Sequence, residues 1–252
     1  MRYLIISDIH ANIVALDTVL DKVNLSSIDE VWCLGDVVGY GPDPNECVDR
    51  MRELATVCLV GNHDWAALGK IDPEEFNDYA RKALEWTQAA LTPESLAFLD
   101  GLQGARDDVH IDFTLAHGSP RHPIWEYLLY STAAAENFAY FTTRFCLVGH
   151  THKPIIFQQE ENTPEHHLPQ AFQPATNIPL PIGHTKGVRL IINPGSVGQP
   201  RDGDSRAAYA IYDDEAGDFT FYRVPYDIAE VQRRMRKAKL PKRLIDRLEY
   251  GW

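Results

Sequence analysis

Eight polar residues share one setting: each lies just beyond a short apolar run. Asp8 and His10 follow Tyr3–Ile6, and Asp36 follows Val31–Leu34. Asn62 and His63 follow Val57–Val60, His117 follows Phe113–Ala116, and His150 and His152 follow Phe145–Val148. Together they offer carboxylate, imidazole and carboxamide donors but no thiolate. Such a mix suits divalent ions such as Mn²⁺, Fe²⁺, Zn²⁺, Ni²⁺ or Mg²⁺, Mn²⁺ first among them, rather than a thiolate zinc site. Each residue alone has an ordinary use: a satisfied loop histidine, an aspartate helix cap, an asparagine in a turn. The ordered series Asp-x-His, Gly-Asp, Gly-Asn-His-Asp, His-Gly and Gly-His-Thr-His points instead to one shared site.

The runs themselves say what positions that site. Continuous apolar stretches of about four residues suit strands covered on both faces. In open α/β sheets, ligands bind beyond the carboxyl ends of the strands, where all eight side chains would gather. Side chains of extended backbone alternate with period two, so Asp8 with His10, and His150 with His152, are expected to point the same way. Gly35, Gly61, Gly118 and Gly149 stand beside the motifs and would permit close approaches in a crowded site.

Helical spacing links the runs. Ile13, Leu16, Val19, Leu20 and Val23 form one apolar stripe, and Phe76, Tyr79, Ala80, Ala83, Leu84 and Thr87 another. The second helix is expected to begin at Pro73 with Asp72 as its N-cap. Thr92-Pro93-Glu94 marks a further start, and Thr132–Tyr140 a short helix. Residues 66–108 thus read as a helical insertion. Gln158–Gly187 holds Pro164, Pro169, Pro174, Pro179 and Pro181, and reads as a long loop or extended excursion between two strands. Ala207–Tyr212 and Phe219–Arg223 form an expected hairpin, and Tyr226–Leu248 two helices broken at Pro241. The fold expected is α/β layered, a single domain over 1–252 without internal repeats.

A net charge of −12 over 252 residues disfavours a nucleic acid polymer as a partner. It does not disfavour a small phosphorylated substrate, because bound metals reverse the local potential. No apolar run approaches the roughly 20 residues of a membrane span, and the N-terminus lacks a secretory pattern, so a cytoplasmic protein without a membrane partner is expected. Cys33, Cys47, Cys58 and Cys146 form no Cys-x-x-Cys pair and read as core thiols. His110, His166, His167 and His184 lack a motif and read as surface or loop residues. The basic residues from Arg233 to Arg247 read as a solvated helical face.

From Arg2 to about Arg201 the ordered motifs resemble the calcineurin-like metallophosphoesterase superfamily, specifically its small bacterial phosphodiesterase-type members. The resemblance implies a two-layer β-sandwich flanked by helices, with two divalent metal ions at one edge. It implies that Asp8, His10 and His152 hold one ion, that Asn62, His117 and His150 hold the other, and that Asp36 bridges both. His63 matches the family's catalytic histidine, which is not a ligand. Two ions about 3.5–4 Å apart share and acidify a water, whose bridging hydroxide would attack phosphorus. A protonated His63 would donate to the leaving alkoxide. Asp64 either assists or satisfies backbone donors.

The chain also departs from the family's phosphoprotein phosphatases, which carry Gly-Asp-x-x-Asp-Arg-Gly after the second strand. Here Gly35-Asp36-Val37-Val38-Gly39-Tyr40-Gly41 lacks both the aspartate that pairs with the catalytic histidine and the arginine that grips the phosphoryl group. Substitutes are Asn12, as phosphate donor or helix cap, and Arg201, as bidentate grip or surface ion pair. Arg121, His122, Trp125 and Tyr127 either line the leaving-group side or form an ordinary packed loop. The expected function is metal-dependent hydrolysis of a small phosphodiester or phosphomonoester. Alternatives are a phosphatase acting on phosphopeptides or dinucleoside polyphosphates, and a non-catalytic scaffold such as the retromer subunit that resembles this superfamily. Every ligand position and His63 are filled, which argues against the scaffold.

Overall fold

A computed structural model describes residues 1–161 and 167–252. Pro164 and His166 lie outside the described residues. Strands and helices follow in the order β1 (Arg2–Ile6), α1 (Ile13–Lys22), β2 (Glu30–Cys33), α2 (Pro44–Leu54), β3 (Val57–Cys58) and α3 (Asn62–Ala67). Next come α4 (Asp78–Ala90), α5 (Pro93–Asp100), β4 (Ala105–His110), β5 (Phe113–Ala116), α6 (Ser131–Asn137) and β6 (Phe145–Val148). The remainder is β7 (Ile155–Glu160), β8 (Gln170–Phe172), β9 (Val188–Asn193), β10 (Ala207–Asp213), β11 (Asp218–Val224), α7 (Ile228–Lys237) and α8 (Lys242–Asp246).

The strands form a five-stranded sheet, β11-β10-β1-β2-β3, and a six-stranded sheet, β4-β5-β6-β9-β7-β8. Within the first, β1, β2 and β3 run parallel, and within the second β5, β6 and β9 do. Period-two alternation explains why the apolar runs are continuous. Tyr3 and Ile5 of β1 face Phe145 and Leu147 of β6 inside the sandwich, with Trp32 and Ile192 between them. Leu4 and Ile6 turn the other way, onto Leu16 and Val19 of α1 and Met51 of α2. Cys146 and Val148 likewise turn out onto Ala134 and Phe138. Each fully buried aliphatic side chain in these layers contributes about 1.5–3 kcal/mol. The result is two packed sheets flanked by helices, as the family resemblance implied.

Several local expectations are corrected. Asp72 caps only a single 3-10 turn, Pro73–Glu75, and Phe76 is extended. Helix α4 begins five residues later because Asn77 Oδ1 accepts from both Tyr79 N and Ala80 N at 3.1 Å, satisfying two orphan donors. Thr92 does cap α5, accepting from Ser95 N. Residues 66–108 are not wholly helical: β4 ends them as a charged strand at the sheet edge, without an apolar pattern to mark it. Helix α2 went unmarked although Pro44 occupies its first turn and Cys47, Val48 and Met51 make its buried stripe. The proline-rich excursion is partly a strand, since β8 pairs with β7, and Thr176 and Leu180 bridge to Phe221 and Phe219 of β11. The hairpin of β10 and β11 and the helix pair α7 and α8 appear where expected.

Among the described residues no helix is long and apolar enough to cross a membrane. All four cysteines are free thiols, with Cys33, Cys47 and Cys146 buried.

Candidate metal centre

The parallel strands β1, β2, β3, β5 and β6 end on one side of the sandwich, and their following residues converge. They do not converge through extended backbone. Asp8 (φ 53°), His10 (50°), Asp36 (53°), His150 (64°) and His152 (60°) are all left-handed. The paired side chains therefore meet because the chain coils sharply after each strand, and the alternation expected from period two is absent. Each such residue costs roughly 1–2 kcal/mol, and neighbouring loops must impose it. Backbone hydrogen bonds do this: Asp8 N to Gly35 O at 3.0 Å, His10 N to Asp36 O at 3.0 Å, and Gly198 N to Asp8 O at 3.0 Å. His150 N also donates to the Asp8 carboxylate, at 3.1 and 3.2 Å to its two oxygens.

Donor atoms gather in two groups, Asp8–His10–Asp36–His152 and Asp36–His117–His150, each within 4.8 Å, with Asp36 common to both. Asn62 Oδ1 completes the second group, 3.3 Å from His117 Nε2. All these residues are buried. Three histidines have their Nδ1 fixed against carbonyls: His10 on Val38 O at 3.2 Å, His117 on Leu34 O at 2.8 Å, His152 on Gln199 O at 2.6 Å. A carbonyl only accepts, so Nδ1 carries the hydrogen, and a neutral ring presents the Nε2 lone pair to the centre. Those of His10 and His152 face each other at 3.0 Å, an arrangement that repels unless a cation lies beside both. Asp36 Oδ2 and His150 Nε2 are buried with no hydrogen-bond partner. Convergent lone pairs, orphaned acceptors and carbonyl-fixed rings are what a divalent ion requires of its ligands.

Electrostatics agree. Burial pushes His10 and His152 well below the usual imidazole range and His150 to about 3, which keeps these rings neutral. Burial also pushes the Asp8 carboxyl up to about 7. Burial works against the Asp36 anion too, but His117, His63 and His10 together hold it well below the carboxylate range. His117 is depressed by burial and raised more by the Asp36 charge beside it, ending at about 9. In the metal-free protein His117 and Asp36 are thus an ion pair, with Nε2 3.4 Å from Oδ2.

Crowding explains two of the glycines. A Cβ on Gly61 would stand 2.1 Å from Asp36 Oδ1, and one on Gly35, itself at φ +98°, 2.7 Å from His117 Nδ1. Asp64 proves structural: its carboxylate accepts from Val37 N, Val38 N and Gly61 N at 3.2, 2.9 and 2.9 Å, tying the Asp36 loop to α3.

His63 is buried on α3, its ring centroid 4.2 Å from Tyr40, 5.0 Å from Phe76 and 5.0 Å from His10. Its Nδ1 has no partner, and burial holds it at about 4. Gly39, at the motif position of the phosphatases' second aspartate, lies against this ring, where a Cβ would come within 2.7 Å of Nδ1.

The substrate-binding expectations divide. Asn12 is a helix cap: Oδ1 accepts from Ala15 N at 3.0 Å, and one Nδ2 hydrogen goes to Gly198 O at 2.9 Å. Arg201 lies against the site, its Nη2 donating to Gln199 Oε1 at 3.0 Å and to the Tyr40 hydroxyl at 3.4 Å. Its Nε is buried without a partner, and among the described residues it makes no ion pair. Arg121 is held by Glu126 and Glu136 and is part of a packed loop. Tyr127 and Trp125 are exposed at the mouth, Tyr127 stacking 3.9 Å from His150 and Trp125 6.1 Å from Phe76. Two residues escaped sequence reasoning. Tyr40 was legible only as an aromatic between two glycines, and nothing in its surroundings marks Arg247.

The sequence model of the calcineurin-like phosphoesterase superfamily domain matches residues 1–217. The crystal structure of a metallophosphoesterase from Sphaerobacter thermophilus superposes with a TM-score of 0.89 at 47% identity, covering 100% of this chain and 99% of that one. An uncharacterized protein of Methanocaldococcus jannaschii is 38% identical over 250 residues, 98% of this chain and 97% of that protein. A symmetrical bis(5′-nucleosyl)-tetraphosphatase of Pseudomonas fluorescens is 31% identical over 104 residues, 39% of this chain and 35% of that protein.

Proposed function

Because the chain belongs to the calcineurin-like phosphoesterase superfamily, hydrolases of phosphoric esters that depend on divalent metal, we propose that it cleaves small phosphodiesters or phosphomonoesters at a centre for two ions. Asp8, His10 and His152 hold one ion, Asn62, His117 and His150 the other, and Asp36 both. The observation that carries this reading is the pair of convergent donor groups sharing Asp36, with His150 Nε2 orphaned and Asp36 Oδ2 met only by an ion-pair contact to His117 in a buried site. The oxygen and imidazole donors suit Mn²⁺ first, then Fe²⁺, Zn²⁺, Ni²⁺ or Mg²⁺. Bound ions would supply Lewis-acid charge at the phosphoryl oxygens and acidify water.

The protein's own residues supply the rest. Arg201, unpaired and beside the Asp8 group, binds and orients a phosphoryl oxygen. His63 is neutral in its aromatic setting, so it donates a ring N–H to the leaving oxygen as a hydrogen bond, without acting as an imidazolium. Tyr127 and Trp125 at the mouth limit water and bulky polymers, in keeping with a small substrate. The test is hydrolysis of p-nitrophenyl phosphate and bis(p-nitrophenyl) phosphate by metal-stripped protein, with each ion added back in turn. Turnover restored by an ion supports the reading, and the ratio of the two rates selects monoester or diester. No turnover with any ion, in protein shown to bind two, overturns it.

A further inference from the structure

Tyr40 also lines a second space, one that none of the proposed metal ligands lines. It is a cavity of about 890 Å³, a volume within the range of about 300–1,000 Å³ typical of ligand pockets. Tyr40 is the shared wall, facing His63 and His10 (ring centroids 4.2 and 4.8 Å) and the cavity as well. The far wall comes from the C-terminal segment, beyond the matched family domain.

That wall combines two chemistries. Tyr79, Tyr250 and Trp252 are large aromatic residues left 42, 52 and 66% exposed, and Tyr250 and Trp252 stack at 4.9 Å and 28°. Arg247 and Arg243 stand among them, with guanidinium carbons 6.0 Å from the Tyr40 ring and 5.4 Å from the Tyr79 ring. Lys242 is neutralised by Asp246. Arg201, Arg243 and Arg247 make no ion pair among the described residues, in a chain of net charge −12 where acids outnumber bases. Arg201 and Arg247 both lie on Tyr40, Arg201 without an ion pair and Arg247 with its Nε donating to the Trp252 carbonyl oxygen, so two guanidiniums share the ring that separates the metal centre from the cavity. Burial, and after it the Arg201 charge, holds Arg247 down to about 10. Flat aromatic faces suit a base, and guanidinium pairs suit the oxygens of a phosphate chain.

We propose that this cavity is the leaving-group subsite of the hydrolytic centre and takes a nucleotide. The base lies against Tyr79, Tyr250 and Trp252, and its phosphates lie at Arg243, Arg247 and Arg201. This rests on the metal-centre reading above and shifts its substrate from an ester to a phosphoanhydride. The substrate is then a phosphoryl group joined through a bridging oxygen to a nucleoside phosphate. Water's oxygen bonds to the scissile phosphorus, and the bond from that phosphorus to the bridging oxygen breaks. The nucleotide leaves with that electron pair, and the proton from water passes to solvent. A phosphate oxygen carries the leaving charge unaided, which accords with a His63 that has no carboxylate behind it.

The test uses the full chain with Mn²⁺, free ion held constant, and p-nitrophenyl phosphate as reporter. ADP should inhibit competitively with a Ki at least tenfold below those of pyrophosphate and adenosine. Trp252→Ala should raise the ADP Ki at least fivefold while moving that of pyrophosphate less than twofold, and Arg243→Ala should raise both. Both side chains are exposed, so neither change threatens folding. Equal inhibition by ADP and pyrophosphate, or an ADP Ki that neither variant moves, overturns the subsite. If the reporter is not hydrolysed with any ion, the metal-centre reading fails instead. Calorimetric titration with ADP then still decides the cavity, by the same variants and the same fold-changes in Kd.

Discussion

Replacing Gly61 with alanine should damage the metal centre from the backbone side, without touching any donor. The added Cβ would lie 2.1 Å from Asp36 Oδ1 and 2.5 Å from Asp36 N. Ordinary contact needs well over 3 Å, so the carboxylate or the strand-end backbone must retreat by roughly 1 Å in a close-packed interior. Overpacking of this kind costs about 1–3 kcal/mol. Asp36 Oδ1 also accepts from His63 N at 2.9 Å, and breaking that charged, buried hydrogen bond adds about 1.5–3 kcal/mol. The sum, about 2.5–6 kcal/mol, should lower Tm by roughly 5–20 °C in a protein of this size. Asp36 belongs to both donor groups, so binding of both ions should weaken, by at least the 10–100-fold typical of a lost supporting contact.

The control is Gly69→Ala. Gly69 also has a positive φ, +71°, but nothing lies within 4 Å of the added Cβ. Only backbone strain of about 1–2 kcal/mol is then introduced, and Tm should fall by a few degrees with metal content unchanged. Differential scanning calorimetry and elemental analysis of both variants separate the cases. If Gly61→Ala matched Gly69→Ala in Tm and kept its metal, close packing of Asp36 against Gly61 would have no part in holding the centre.

Three further predictions follow from the site and its surroundings. His63→Ala should keep both ions and lose about 10–10² in kcat on esters with poor leaving groups, the worth of one hydrogen bond to a charged oxygen, and less on p-nitrophenyl esters; uniform losses would place His63 in substrate binding instead. Metal uptake should release protons, because His117, held up to about 9, and Asp8, at about 7, must both shed theirs before they can act as ligands. Affinity for Mn²⁺ should accordingly rise with pH towards about 9, and a calorimetric heat that did not vary with buffer ionisation enthalpy would count against this. Glu126 is raised by burial but lowered more by Arg121, Ser119 and Asn137, to about 2 against a usual 4.5. A depressed carboxyl stabilises the fold above its unfolded value, and that stabilisation is lost as pH falls through the folded one. The Tm gap between wild type and Glu126→Gln should therefore be widest above about pH 4.5 and close towards pH 2; a gap constant with pH would show that Glu126 packs rather than pairs.

Much of the fold was legible because burial on both faces writes itself into sequence. The runs at Tyr3–Ile6 and Phe145–Val148 are apolar throughout since their alternate residues meet different layers. Strand β4 carries Arg106, Asp107 and Asp108 at a sheet edge, where solvent lets polar residues pair in a ladder without any apolar signature. The start of α4 was misplaced for a different reason. Asp72-Pro73 and Asn77 are both competent caps, and only the donors actually reached decide between them. Asn12 shows a similar ambiguity, since a short polar side chain beside a motif serves helix and ligand equally well; its oxygen caps α1 while its amide keeps a second hydrogen.

The donor set was legible from residue type and order, yet the backbone that delivers it was not. Alternation predicted that Asp8 and His10 would share a face, and they do converge, but through left-handed coils. Aspartate, asparagine and histidine enter that region more readily than most residues, so the same side chains that bind metal also tolerate the backbone that aims them. Of the strained ligands, Asp8 and His10 are held by hydrogen bonds from the Gly35, Asp36 and Gly198 segments, and His152 through its carbonyl by Arg201 N. Those contacts join parts of the chain far apart in sequence, as does the approach of Arg247 to Tyr40, and no local pattern records them. Strain concentrated on the ligands themselves means that the metal-free centre stores energy which bound ions would offset. The ligand loops, rather than the sheets, should therefore be the first elements to exchange amide hydrogen faster when metal is stripped.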